Sequence, residues 1–391
     1  MLRCSRRRGT SPSPVRAPPL EVDDLLGEIL LRLPAQPPHL LHASLVSKRW
    51  RRLATDRRFV RDFRIRHGKP PLLGLLRSYS SLHNRVYLTP TPGSPYRISP
   101  ERFYLTSDGR EGWRLVDCRH GRLLFEDREH HQAIVWDPIT EDHCFLAVPP
   151  QFHNPKIAAL HWAVLCAAGE QGHVHGFCHW SPFRVVLVAI YRPQNEIQAV
   201  AMARVYSSET GTWGHLLSTP VPHVYLMSSL PSTLVGNTLH WSFIRRNTCV
   251  IQFDLDTQGL AMVKIEKPPG FHYNVQMIHS EDGGVAFATL SILCDEPYLQ
   301  VWEKKADSYG VPKWVLLKSV ELQAFLGLAF RISKEESSIV RYAEDARAIF
   351  LRVHSCVHMV KLETMQFKIF FLEKDPSGTY HPFTSFSAQG L

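Results

Sequence analysis

Closely spaced cysteines are missing from this sequence. Its eight cysteines stand at 4, 118, 144, 166, 178, 249, 294 and 356, no two closer than twelve residues. This excludes the paired CxxC spacing of zinc ribbons and redox motifs. Eight in 391 residues is thin for a disulfide framework, and no Asn-x-Ser/Thr acceptor occurs. A reduced compartment, cytosol or nucleus, is therefore expected. Long apolar runs are missing too. Obvious ones such as Val185 to Ile190 are far short of the ~18 residues of a membrane helix, and the first residues lack the apolar core of a secretion signal. No Walker GxxxxGK(S/T), GxGxxG, HExxH or GxSxG pattern occurs, so the familiar nucleotide, zinc-hydrolase and serine-hydrolase signatures are absent. His279-Ser280-Glu281 is half of a deaminase signature, but no P-C-x-x-C follows it. No cofactor or metal and no catalytic constellation is expected.

What is present points to two domains. The 391 residues are 44% hydrophobic and 10% aromatic, with 28 Pro and 22 Gly. That length suits more than one core, and the aromatic content suits pleated sheets. The net charge of +9 is concentrated near the start. Residues 1–19 carry five Arg and no acid, and residues 48–69 carry ten Lys or Arg against Asp56 and Asp62. The long remainder is almost neutral, which argues against a nucleic-acid surface there.

Residues 1–19, rich in Pro and Arg, read as a disordered basic tail, with Arg6-Arg7-Arg8 a solvated run. Residues 20–69 read as a small module of three helices. Asp23 or Asp24 can cap the first. Leu26, Ile29, Leu30 and Leu33 then recur at i, i+3, i+4 and i+7, a helical apolar face, and Pro34 stops it. A second helix is expected over 39–47. A third, over 48–57, puts Val46, Trp50 and Leu53 on one face. Phe59, Val60 and Phe63 add an apolar patch. Leu25, Leu31, Leu41 and Leu45 fall off these faces. Leaving each in water forgoes roughly 1.5–3 kcal/mol, and an apolar excess on so small a module marks a partner surface.

In this stretch, DDLLGEILLRLP followed by ASLVSKRWRRLATDRRF resembles the F-box, with both half-motifs in order and at the usual separation. Glu21-Val22 stands where the common form has Pro, and Ser47 where many members have Cys. The resemblance implies a Skp-type adaptor as partner and, through it, a cullin ligase core. It implies a docking face drawn from Leu25, Leu26, Ile29, Leu30, Leu33, Pro34, Leu45, Val46, Trp50 and Leu53, some of which must serve the module's own core. The rivals are a generic three-helix bundle and a helix-turn-helix DNA reader. The basic run offers no Asn or Gln placed for base reading, which counts against the reader.

Residues 70–391 read as short strands punctuated by Pro, Gly, Asp and Ser. One unit recurs: an apolar strand, an acidic turn with Thr or Ser, and a second apolar strand. It occurs at 135–148, 205–218, 252–265, 301–317 and 360–372, as antiparallel hairpins require. Thr140, Thr210, Thr257, Ser308 and Thr364 mark the turns at intervals of 70, 47, 51 and 56. A period of ~50 resembles kelch-type propeller blades and predicts about six, with an insertion in the 70-residue interval. Phrases such as RHGRLLFED, VWDPIT, STLVGNTLHW and YAEDARAIFL resemble plant, especially grass, F-box proteins with an F-box-associated β domain. The expected fold class is thus multidomain: a three-helix F-box followed by a β-propeller-like, kelch-like domain.

The densest donor cluster is Cys166, His173, His175, Cys178 and His179. With one short spacing instead of two, it is read as a Gly-rich strand packing with Phe177 and Trp180. Glu141-Asp142, Glu281-Asp282 and Glu344-Asp345 read as solvated turn formers. The resulting expectation is a non-catalytic receptor of a Skp-cullin-F-box ubiquitin ligase, its β domain holding a protein target whose identity and contact residues are unknown, with no nucleic-acid or membrane partner. A propeller-fold enzyme and a Skp-bound protein without a degradation role are the alternatives.

Overall fold

The computed structural model describes residues 22–78, 86–92, 103, 112–168, 173–176, 178–192, 198–222, 226–227, 231–244, 249–270, 272–293, 296–329, 331–372 and 378–386. The basic tail, residues 1–19, lies outside them. The chain divides into two compact units, Met1–His67 and Gly68–Leu391.

Among its described residues the first unit has four helices: α1 (Asp23–Leu31), α2 (Pro37–Val46), α3 (Lys48–Thr55) and α4 (Arg57–His67). The three-helix expectation is corrected here, because the Phe59–Phe63 patch lies on a helix of its own. Asp56 is the reason. Its extended backbone ends α3, and its Oδ1 accepts from the N–H groups of Arg58 and Phe59 at 2.9 and 3.1 Å, capping the start of α4. Ser47 does the same for α3, accepting from Trp50 N–H at 3.2 Å. Asp23 does not cap α1. It receives Arg49 Nε at 2.6 Å and Arg52 Nη2 at 3.4 Å, tying α1 to α3. Leu26, Leu30, Leu40, Ala43, Ala54, Phe59 and Phe63 are buried.

The second unit is a six-bladed β-propeller. The kelch subtype is not established by the described strands. Blade 1 comprises β3 (Arg114–Arg119), β4 (Arg122–Asp127), β5 (Gln132–Trp136) and β6 (His143–Ala147), after β1 (Leu72–Ser78) and β2 (Val86–Pro90). Blade 2 has β7 (Ile157–Cys166), β8 (Phe183–Tyr191) and β9 (Gln198–Ser207). Its outer strand is split into β10 (Thr212–Trp213) and β11 (Leu217–Pro222). Blade 3 has a split inner strand, β12 (Leu226–Met227) and β13 (Thr233–Val235), then β14 (Thr238–Ile244), β15 (Cys249–Asp254) and β16 (Gly259–Lys264). Blade 4 is β17 (His272–His279), β18 (Val285–Leu293), β19 (Glu296–Ala306) and β20 (Pro312–Glu321), followed by α5 (Leu322–Leu326). Blade 5 is β21 (Ser337–Ala343), β22 (Ala348–Val353), β23 (Cys356–Lys361) and β24 (Phe367–Leu372). Blade 6 closes the ring in the order β2-β1-β25, the last strand (Thr379–Thr384) pairing antiparallel with β1.

The apolar side chains show the closure in physical terms. Each pair of neighbouring blades shares a buried cluster, exemplified by Phe125 with Phe383 at the 6/1 seam, Val135 with Leu187 at 1/2, and Val188 with Trp241 at 2/3. Met277 with Val250 fills 3/4, Leu299 with Leu351 fills 4/5, and Leu75 with Phe350 fills 5/6. A blade is too thin to hide its own two faces, so each strand's buried sides need both neighbours.

The recurring turns have one cause. The five repeat units join the third and fourth strands of blades 1 to 5. In each, a residue near the end of the turn takes positive φ: Glu141 (65°), Gly211 (68°), Gln258 (51°), Gly310 (76°) and Met365 (53°). Acids brace several of them. Asp137 Oδ1 accepts from Ile139 N–H at 2.9 Å, and Asp254 Oδ1 from Thr257 N–H at 2.7 Å. An Asx turn supplies the hydrogen bonds a two-strand reversal leaves open.

Candidate functional site

The docking residues implied by the F-box resemblance separate into two groups. Leu26 and Leu30 have no exposed surface and belong to the core of the helical unit. Leu33, Trp50 and Leu53 are half-buried. Leu25 (49%), Ile29 (39%), Leu45 (63%) and Val46 (63%) are exposed, as is Pro34. Leu25 and Ile29 sit one turn apart on α1, while Leu45 and Val46 end α2. Leu31 and Leu41, expected off the helical faces, are half-buried.

The propeller centre holds charge that sequence reasoning placed in solvent. Arg119, at the end of β3, donates to Asp117 Oδ2 at 2.5 Å and to both oxygens of Glu344 at 3.0 and 3.1 Å. It also donates to the carbonyl of Ser232. Arg119 thus ties blade 1 to the turn of blade 5 and to the start of blade 3, across the axis. Asp117 is fully buried and accepts Val164 N–H at 3.0 Å. Burial pushes its carboxyl up, against the pull of Arg119 and Arg341. Burial acts to raise Glu344, but Arg119, the Leu234 N–H and Arg341 together outweigh it and hold Glu344 below the usual carboxylate value. Inner-strand bulges fall just before Asp117 and Arg341, re-aiming the strand at those points. Glu344 is therefore no solvated turn former. Its neighbour Asp345, also raised by burial, accepts from Thr384 Oγ1 at 2.8 Å. By contrast, Glu141, Asp142, Glu281 and Asp282 are exposed in turns. Arg119 pairs with Asp117 and Glu344, while Asp117 Oδ1 has Arg341 at 3.7 Å but no hydrogen-bond partner, an arrangement of opposite charges that structural ion sets share.

Two clefts of the propeller are lined by side chains of blades 1 and 2 with others from neighbouring segments. One, of about 220 Å³, is lined by Arg114, Arg128, His161, Trp162, Pro231 and His381. Arg114 and Arg128 both pair with Glu126, which also accepts from Trp162 Nε1 at 2.5 Å. Burial, with Arg114 and Arg128 nearby, pushes His161 down to about 4. The second, of about 430 Å³, is lined by Arg122, Asp137, His143, His179, Trp180 and Phe183. His179 Nδ1 meets Asp137 Oδ2 at 2.6 Å, and Trp180 is 74% exposed.

Among the described residues of the Cys/His cluster, the expected Gly-rich strand is not formed after Cys166. Residues 167–182 connect β7 to β8, and this insertion accounts for the long 70-residue interval. Phe177 lies outside the described residues. Donor atoms of Cys166, His173, His175 and Cys178 all lie within 4.8 Å of one another, whereas His179 is engaged with Asp137. A hydrogen bond from Cys178 lowers Cys166 to about 3, while the same bond pushes Cys178 up. Sequence spacing groups Cys166 with His173, His175, Cys178 and His179; the fold keeps the first four together and gives His179 to Asp137.

The architecture is thus a small helical unit followed along the chain by a six-bladed propeller. The family comparisons agree. The F-box domain model matches residues 22–62. The model described as "F-box protein AT5G49610-like, beta-propeller" matches residues 114–385, more than half of the chain, and the chain belongs to that family of F-box proteins. No curated protein sequence matches it. Among solved structures it is similar to a nidogen/laminin complex, with 8% identity over 81% of this chain and 99% of that one and a TM-score of 0.39. It is also similar to luciferin-regenerating enzyme, with 11% identity over 68% and 76% and a TM-score of 0.32. The WD40 domain of SCAP from fission yeast gives 9% identity over 81% and 85% and a TM-score of 0.31. Likenesses this distant carry nothing about function.

Proposed function

We propose that this chain is a substrate-recognition subunit of a Skp-cullin-F-box ubiquitin ligase, acting in the cytosol or nucleus. The observation that carries the reading is the set of exposed apolar side chains on α1 and α2, namely Leu25, Ile29, Leu45 and Val46, within the stretch matched by the F-box model. They are the part of the resemblance-derived face that the module's own core leaves free. An adaptor that covers them gains the burial energy that water denies. The basic residues of α3 and α4 favour a partner with acidic surface, which speeds encounter more than it strengthens the complex.

The propeller holds the target, and the chain contributes no reacting group. Its role is to keep a bound protein beside the ubiquitin-charged enzyme, so the gain in rate comes from proximity. The mutual pairing of Asp117, Arg119 and Glu344 supports a rigid scaffold over a catalytic centre, since their charges are spent on one another. The test is reconstitution with a purified Skp-type adaptor and cullin core. Ubiquitin should be transferred to proteins that co-purify with the propeller, and transfer should fail for a chain lacking residues 22–62. Assembly with the core but no transfer to any co-purified protein would favour a role without degradation.

A further inference from the structure

The β7–β8 connection gathers a donor set that adaptor docking leaves unused. Cys166 closes β7, and His173, His175 and Cys178 come from the connection. His173 Nε2 is 3.4 Å from the sulfur of Cys166 and 3.4 Å from that of Cys178. His175 Nδ1 is 3.6 Å from Cys178 Sγ. A tetrahedral zinc ion with bonds of about 2.3 Å to sulfur and 2.0–2.1 Å to nitrogen sets sulfur–nitrogen edges of about 3.6 Å. Three of the six edges match, and the other three lie within 4.8 Å. Pairwise thiol–imidazole hydrogen bonds account for single edges, but they do not require four donor atoms to face one centre.

We propose that Cys166, His173, His175 and Cys178 bind one structural zinc ion. Two thiolates and two imidazoles are the donors that select zinc over magnesium or calcium. Four protein ligands leave no open position, so the ion is structural and not catalytic. The surroundings are built to support it. Ala168 and Gly176 direct backbone N–H groups at the sulfurs of Cys166 and Cys178. The ring of His120 stacks on His175 with centroids 3.7 Å apart, and His120 Nδ1 accepts Cys166 N–H at 3.0 Å. Such outer contacts orient ligands before the ion arrives.

The ion fastens the insertion of blade 2 to the seam where the ring closes. Gly176, between two of the ligands, gives its carbonyl to Phe386 N–H at 2.9 Å and Ser385 Oγ at 3.2 Å, just past β25. Its φ is +100°, and a Cβ there would collide with the ring of Pro70. The chain segments that begin and end the propeller therefore rest against the zinc loop.

The test uses the full chain purified with its adaptor under reducing conditions, with metal measured by inductively coupled plasma mass spectrometry. Close to one zinc per chain is expected, falling below about a tenth in Cys178→Ser, because loss of one ligand cuts affinity steeply. His173→Cys, which keeps four ligands, should retain zinc, as should Cys144→Ser outside the set. Cobalt exchanged into the wild-type chain should show the visible bands of a tetrahedral sulfur–nitrogen site. Chelation should raise protease cleavage near both the insertion and the closing strand. Should Cys178→Ser fail to fold, the wild-type metal content, the cobalt spectrum and His173→Cys still decide. A wild-type chain that takes up no zinc on reconstitution, a Cys178→Ser variant with full zinc, or a Cys166–Cys178 disulfide in the reduced preparation would each overturn the assignment.

Discussion

Replacing Arg119 by Met probes how the propeller centre is held. The substitution keeps much of the side chain's length and removes its charge and donors. Asp117, fully buried, loses its 2.5 Å partner, and Glu344, 20% exposed, loses two bonds. Stranding a buried charge costs about 3–5 kcal/mol. At about 2.1 cal/mol/K per residue, the unfolding entropy of a unit the size of Gly68–Leu391 is roughly 0.7 kcal/mol/K, so the melting point should fall by about 4–7 °C. The pH dependence identifies the cause. Without Arg119, burial drives both carboxyls up, above their values in the unfolded chain. Groups raised in this way favour the folded state as they take up protons. The gap between variant and wild type should therefore narrow as pH falls from 7 toward 4. Adding Asp117→Asn, Glu344→Gln and Arg341→Met should recover much of the loss at neutral pH, because Arg341, buried 3.7 Å from Asp117 Oδ1, would otherwise be the charge left stranded. Differential scanning calorimetry across pH reads both effects. A melting point within a degree of wild type, or a gap that stays constant with pH, would refute the account of the centre.

The split within the docking residues predicts opposite outcomes for neighbours. Leu30→Ala should destabilise the helical unit by about 2–5 kcal/mol, read by hydrogen exchange of α1, since it empties core volume. Leu45→Ala should change stability by less than about 0.5 kcal/mol in the same measurement. His161 gives a second pH signature. Its folded pKa, about 4, lies below the ordinary 6.5, so its contribution to stability is complete above 6.5 and is lost as pH falls through that window toward 4. His161→Gln should flatten this part of the stability–pH curve, followed by urea unfolding at fixed pH.

Legibility from sequence followed the range of the interactions. The propeller was readable through its turns, because Asp137, Asp254 and Asp307 accept hydrogen bonds from residues two to four positions ahead. Those contacts lie within one stretch of sequence, and so does their ~50-residue repeat. The first α-helical face was readable for the same reason. The fourth helix was hidden because Asp56 ends one helix and caps the next, leaving no loop to separate them. What joins distant segments was not readable. Arg119 reaches Glu344 across 225 positions, and a Glu-Asp pair in a turn has no local mark that distinguishes burial from solvation. Cys166, His173, His175 and Cys178 were grouped by their nearness in sequence, but spacing alone did not show that a strand end and a loop bring their donor atoms within 4.8 Å instead of laying them along one strand. The division of Leu25 from Leu26 and of Ile29 from Leu30 required knowing where α4 packs.

The central claim is that the exposed leucine, isoleucine and valine side chains of the helical unit are kept uncovered for an adaptor. The direct measurement is titration calorimetry of a purified Skp-type adaptor with the wild-type chain and with an Ile29→Ala, Leu45→Ala, Val46→Ala variant. The account predicts at least a tenfold loss of affinity, about 1.4 kcal/mol or more, with helical circular dichroism unchanged. Equal affinity for the two proteins, or no binding by wild type, would contradict it.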